Sequence, residues 1–123
     1  MSVSTLFAAV MPAFILAAGL AVDGAARLTA QREAQAAAAA AARAATDSAA
    51  AARLQGAAGD AQAIAAADAV AREYDIVDVS VSIGPDRRVR VRTTADCDTV
   101  FLGLIGINGF TVTGLAEAEL RRS

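Results

Sequence analysis

Hydrophobic and polar positions fall into three regimes along the chain. The first twenty-two residues, Met1 to Val22, contain no charged side chain, and Asp23 closes the run. At about 1.5 Å rise per residue, a helix over Val3 to Val22 spans roughly 30 Å, the thickness of a bilayer's hydrocarbon core. From Asp23 to about Leu54 charges return at scattered positions (Arg27, Arg32, Glu33, Arg43, Asp47 and Arg53) and nothing breaks the helical pattern. Ala36 to Ala42 is an unbroken alanine run, and alanine has the highest helix propensity. The pattern predicts one continuous helix of about fifty residues, its first half a membrane span and its second half clear of lipid.

Beyond Leu54 the pattern changes twice. Gly56 and Gly59 punctuate the chain, Asp60 is a candidate N-cap, and Asp60 to about Glu73 reads as a second helix with Ile64, Ala67 and Val70 as its packing stripe. After Tyr74 the period falls to two. Val77, Val79, Val81 and Ile83 alternate with Asp78, Ser80 and Ser82, the mark of a strand with one buried face. Gly84-Pro85-Asp86 is a turn, after which Val89 and Val91 alternate with Arg88, Arg90 and Arg92. For both apolar sets to share a face, odd residues must pair with odd. That requires an odd loop, Pro85 to Arg87, or a bulge. Val100, Phe101, Leu102, Leu104 and Ile105 form an apolar loop or short helix broken by Gly103 and Gly106. Thr111 to Leu120 then alternates with Val112, Ala116, Ala118 and Leu120 on one face, helix being the alternative for Leu115 to Leu120.

The fold class that follows is α+β: a long N-terminal helix, a second helix, then a small antiparallel sheet of about three strands. Three segments result: 1–22, the transmembrane half of the first helix; 23–54, its exposed alanine-rich half; and 55–123, a small α+β head domain.

Composition narrows the chemistry. The chain is 56% hydrophobic with mean hydropathy +0.46, yet holds four Phe, one Tyr and no Trp. Alanine supplies the excess, so the core of the head is modest in volume. All eleven basic residues are Arg, which with the alanine richness suggests a genome of high GC content. A net charge of −2 and a pI near 4.9 exclude the electrostatic footprint of a nucleic-acid partner. The single Cys97 excludes an internal disulfide and reads as a small buried hydrophobe. Without His it has no partner base, and Asp96 and Asp98 beside it are too few hard ligands for a metal. No catalytic, cofactor-binding or metal-binding residue is therefore assigned, no cofactor and no small-molecule substrate. The comb Arg88, Arg90, Arg92 reads as the solvated face of a sheet, paired with Asp78 on one side and Glu117 or Glu119 on the other. The alternative for it is a contact with lipid head groups or a phosphate.

The apolar run is longer than the 7–15 residues of a cleaved secretory signal, and no Lys or Arg precedes it. Within it small residues recur every fourth position at Ala9, Ala13, Ala17 and Ala21, a ridge that continues to Ala25. Small residues let helix backbones approach in lipid, so the ridge is either a packing surface for other helices or a product of alanine bias. Pro12 lies mid-span, where the loss of a backbone hydrogen bond is expected to bend or locally loosen the helix. Taken alone, Arg27 and Arg32 would put the distal side in the cytoplasm.

The assembled order resembles a known family. A Ser/Val/Thr start, Phe7, an apolar run with Pro12 and Gly19, Asp23-Gly24 and the polar helix Arg27 to Gln35 look like the TadE/TadG-like minor pilins of the tight-adherence (Tad, or Flp-type) pilus machinery. The tail carries a second resemblance: Thr99, Phe101-Leu102, Leu104, Gly106-Ile107, then Thr111-Val112, Ala116 and Ala118. The resemblance implies a non-enzymatic pilin-like subunit, anchored once in the cytoplasmic membrane with its head outside, that joins or primes an extracellular pilus. It implies other pilins, pilus-assembly proteins, membrane lipid and a prepilin peptidase as partners. Counting from Ser2, the position at which pilins carry a glutamate is Leu6, which places the resemblance nearer the family's larger, glutamate-free branch. The alternative function is a membrane-anchored structural or regulatory module of another secretion or envelope complex.

Overall fold

A computed structural model describes residues 2–56 and 59–120; the outer limits of the first and last segments, at Met1 and at 121–123, lie outside it. The apolar run and the alanine-rich segment form one helix, α1 (Val3–Leu54), which continues through Pro12 without interruption. A second helix, α2 (Asp60–Ala71), precedes strands β1 (Asp78–Ile83), β2 (Arg88–Asp98) and β3 (Gly109–Glu119). The strands make an antiparallel meander in the order β1-β2-β3. The fold is α+β, as the periodicities predict.

The alanine-rich half of α1 is the centre of the core. Ala34, Ala38, Ala41, Ala45, Ala49 and Ala52 recur at the helical spacing and are buried along one face. Methyl groups bury little area each, at about 0.8 kcal/mol per carbon, but they let the helix backbone lie close to its neighbours. On α2 the buried positions are Ala63, Ala67 and Ala71, so only Ala67 of the predicted stripe holds; Ile64 is exposed and Val70 half-buried. Two alanine-lined helices approach closest along their smallest side chains, and the larger Ile64 is left outside the seam. The entry to α2 also differs. Gly59, at φ 84°, is the capping residue, and a Cβ there would stand 3.1 Å from the Ala49 carbonyl oxygen. Asp60 sits in the first turn instead, where its carboxylate accepts from Arg87 Nη1 at 3.0 and 3.1 Å.

The hairpin obeys the parity argument. Val81 pairs with Val91 and Ile83 with Val89, across a turn over Pro85 to Arg87. Arg87 adopts φ 61°, the left-handed residue of a three-residue hairpin turn. Strand character begins at Asp78, leaving Val77 exposed rather than on the buried face. Leu115 to Glu119 is strand, not helix: Leu115 pairs with Arg92 and Glu117 with Arg90. Pairing satisfies the backbone of β2 on that side and turns the small Ala116 and Ala118 toward α1.

Two contacts fix α1 across the sheet. Thr93, fully buried on β2, donates its hydroxyl to the Ala34 carbonyl. Its register partner Gly114 lies so close to Ala34 that a Cβ would overlap the helix backbone. Alongside, Gln31 donates to the Thr113 carbonyl at 2.8 Å, while Gln35 donates to the Leu115 carbonyl at 2.7 Å and accepts its amide at 3.2 Å. Those two side chains occupy backbone groups on the open edge of β3, where another chain would otherwise pair.

Candidate functional site

The sequence directs attention to the surface of the long helix and to the β2–β3 connection, and the structure joins the two. From Val3 to Val22 every position of α1 is exposed except Gly19. The segment includes Leu6, Phe7, Val10, Phe14, Ile15 and Leu20, side chains that water solvates poorly. α1 is the one helix among the described residues long and apolar enough to cross a membrane. Ala9, Ala13, Ala17 and Ala21 lie in this uncovered segment, and so does Pro12. All five are exposed, so the ridge is open to a partner helix or to lipid.

The tail residues are divided in their roles. Val112 is buried with Ala34 and Ala95 in a small cluster beneath the sheet. Thr111 stands opposite Asp96 on the exposed face, its hydroxyl 3.4 Å from the carboxylate. Thr99 ties the base of the β2–β3 connection, its amide donating to the Asn108 carbonyl at 3.2 Å and its hydroxyl to that of Ile107. A 3-10 helix over Leu102–Ile105 follows and is closed by Gly106 at φ 92°. Leu104 is exposed.

Asp23 organises this connection. Its carboxylate accepts the amides of Val100 at 2.8 Å, Phe101 at 3.2 Å and Leu102 at 2.8 Å, and it is 2% exposed. One helical turn earlier, the ring of Phe101 lies where a Cβ of Gly19 would be. Donation from Val100, and then from Leu102 and Phe101, holds the Asp23 carboxyl below its ordinary value against the opposing effect of burial. Arg27, a further turn along, places its guanidinium 5.2 Å from the centre of the Phe110 ring.

No protein-family model matches the chain, and no curated protein or solved structure does either.

The remaining chemistry is sparse. A cleft of about 460 Å³ between α1 and β2 is lined by Thr29, Glu33, Asp75, Asp96 and Cys97, with alanines between them. Cys97 is buried and free. Among the described residues no group of His, Cys, Asp and Glu is disposed to hold a metal ion. The arginine comb pairs on the sheet face, though not with Asp78, which stands opposite Thr94. Arg90 bonds Asp86 of the turn at 2.6 Å and Glu117 at 3.1 Å, Arg88 reaches Glu117 at 3.6 Å, and Arg92 takes no part in those pairs. The Arg90 guanidinium holds the Asp86 carboxyl below the usual carboxylate range.

Sequence reasoning treated Asp23 as the end of an apolar run and Gly19 as one residue of a resemblance. Their joint role was missed. The available signal was the spacing of four between a glycine and a carboxylate, together with a charge-free stretch from Thr99 to Ala116 that could approach the span.

Proposed function

We propose that the chain is a non-enzymatic pilin-like subunit that anchors in the cytoplasmic membrane and takes part in assembling a Tad/Flp-type pilus. The observation that carries this reading is the double use of α1. Its first half is a bare apolar rod, and its second half is the core of a small α+β head. Such a molecule can be stored in lipid through its rod and can later exchange lipid for the rods of other subunits. Close packing without a hydrophobic drive depends on small residues at the contact, and the Ala9, Ala13, Ala17 and Ala21 ridge supplies them. The arrangement needs no chemistry from side chains, in keeping with a chain that contains no His and one Cys. In this reading the head lies outside, other pilins and assembly proteins are the partners, and a prepilin peptidase handles the N-terminus.

Deleting the gene in its native host and isolating surface fibres by shearing tests the proposal. Loss of fibres, or recovery of the tagged chain in the sheared fraction, is the expected result. Normal fibres that lack the chain would assign it to another envelope complex.

A further inference from the structure

The β2–β3 connection stands at an unusual height on the molecule. Phe101 lies against Gly19, inside the charge-free run, and Asp23 one turn later holds the amides that flank Phe101. Four residues of helix rise about 6 Å, so the connection overlaps the last turn of the apolar rod by that much. Its outward side chains are apolar: Leu104 is 83% exposed, Ile105 72% and Val100 66%. The other end of the sheet is the opposite in character, a turn of Gly84, Pro85, Asp86 and Arg87 with two charged side chains.

Most amides of the connection find partners within the protein. An amide or carbonyl in lipid must find its partner within the protein. The amides of Val100, Phe101 and Leu102 are taken by Asp23. That of Leu104 donates to the Phe101 carbonyl, that of Gly106 to Gly103 and that of Ile107 to Leu102. The Asp23 charge is itself covered by the connection, and the exposed Asp98 stands at the base of the connection, at the end of β2.

We propose that Val100 to Ile107 is a second membrane contact of the head, an apolar loop seated in the lipid interface beside the span. The occupant of its exposed surface is the bilayer, because the loop is continuous with the rod and overlaps it in height. An overlap of about 6 Å falls within the roughly 5–10 Å to which interfacial apolar elements sink. The consequence is a head held at a fixed height and tilt. The inference rests on reading residues 1–22 as a span.

The chain has no Trp, so a single introduced Trp reports one place. Full-length Leu104→Trp, with Ile105→Trp as a second position, is reconstituted into phosphatidylcholine vesicles brominated at shallow or deep acyl positions. Phe14→Trp marks the rod and Leu54→Trp the far end of α1, about 46 Å beyond Asp23 by helical rise. The expected result is a blue-shifted emission for the loop positions, quenched most by shallow bromines. Phe14→Trp should be quenched by deep bromines and Leu54→Trp by neither. Loop positions unquenched beside a quenched Phe14→Trp overturn the loop contact and leave the span intact. An unquenched Phe14→Trp overturns the span itself. A blue shift that needs high protein density and no bromine would give the loop to a second copy and overturn the lipid contact.

Discussion

Asp23 and Val100 are 77 residues apart in the chain and meet at 2.8 Å, carboxylate to amide. The bond belongs to a set of three that seats the β2–β3 connection on α1. It joins the end of the apolar run to the tail and so links the two stretches that carry the family resemblance.

That link should be acid-sensitive. The folded carboxyl lies below its ordinary 3.8, so its contribution is complete above that value and is lost as pH falls through the lower folded value. Asp23→Asn keeps an acceptor but loses the charge. The thermal midpoint of the detergent-solubilised variant should fall below wild type at pH 7, and the gap should close below pH 3.8. A gap unchanged between pH 7 and pH 3 would contradict the assignment.

Gly114 should tolerate no side chain. An added Cβ meets the Ala34 backbone, which cannot turn aside as a flexible side chain can. Gly114→Ala should cost about 1–3 kcal/mol, the range for overpacking a filled core. Gly24→Ala is the matched control, since nothing stands within 4 Å of its Cβ position. It should be neutral or gain about 0.5–1 kcal/mol from helix propensity. Denaturant midpoints in one detergent compare the two.

The alanine ridge can be separated from alanine bias. Ala13→Leu with Ala17→Leu should insert into membranes as well as wild type, because leucine is at least as apolar. Close helix approach should suffer. Co-purification with partner pilins is the readout, and unchanged recovery would leave the ridge to composition.

The arginine face should prove dispensable. Arg90 pairs with Asp86 and Glu117 in exposed positions, where ion pairs contribute little and salt screens them. Arg90→Gln should unfold near the wild-type temperature, with the small difference vanishing at high salt, and should assemble normally. An assembly defect in a stably folded variant would make this face an interface.

Orientation is checked by a reporter active only in the cytoplasm, fused after Ser123. The pilin reading expects it to be silent. Strong activity would place the head inside and agree with Arg27 and Arg32, which alone favour that side.

The sequence by itself determined the elements and their order. Absence of charge over a bilayer's thickness, an alanine run with no breaker, and a switch of period from 3.6 to 2 are local properties, readable without neighbours. Parity even required an odd hairpin loop or a bulge, and the turn over Pro85 to Arg87 is such a loop. What only the tertiary structure decided were the contacts between distant segments. Alanine carries no signal of which face will be buried, so the seam of Ala63, Ala67 and Ala71 emerged only when α2 met α1. Leu115 to Glu119 could satisfy its backbone as helix or as strand, and the open side of β2 settled it. Asp23 looks like the charge that ends a span, and it is also the anchor of the β2–β3 connection. A carboxylate's partners are backbone amides here, and amides leave no trace in the identity of the residues that supply them.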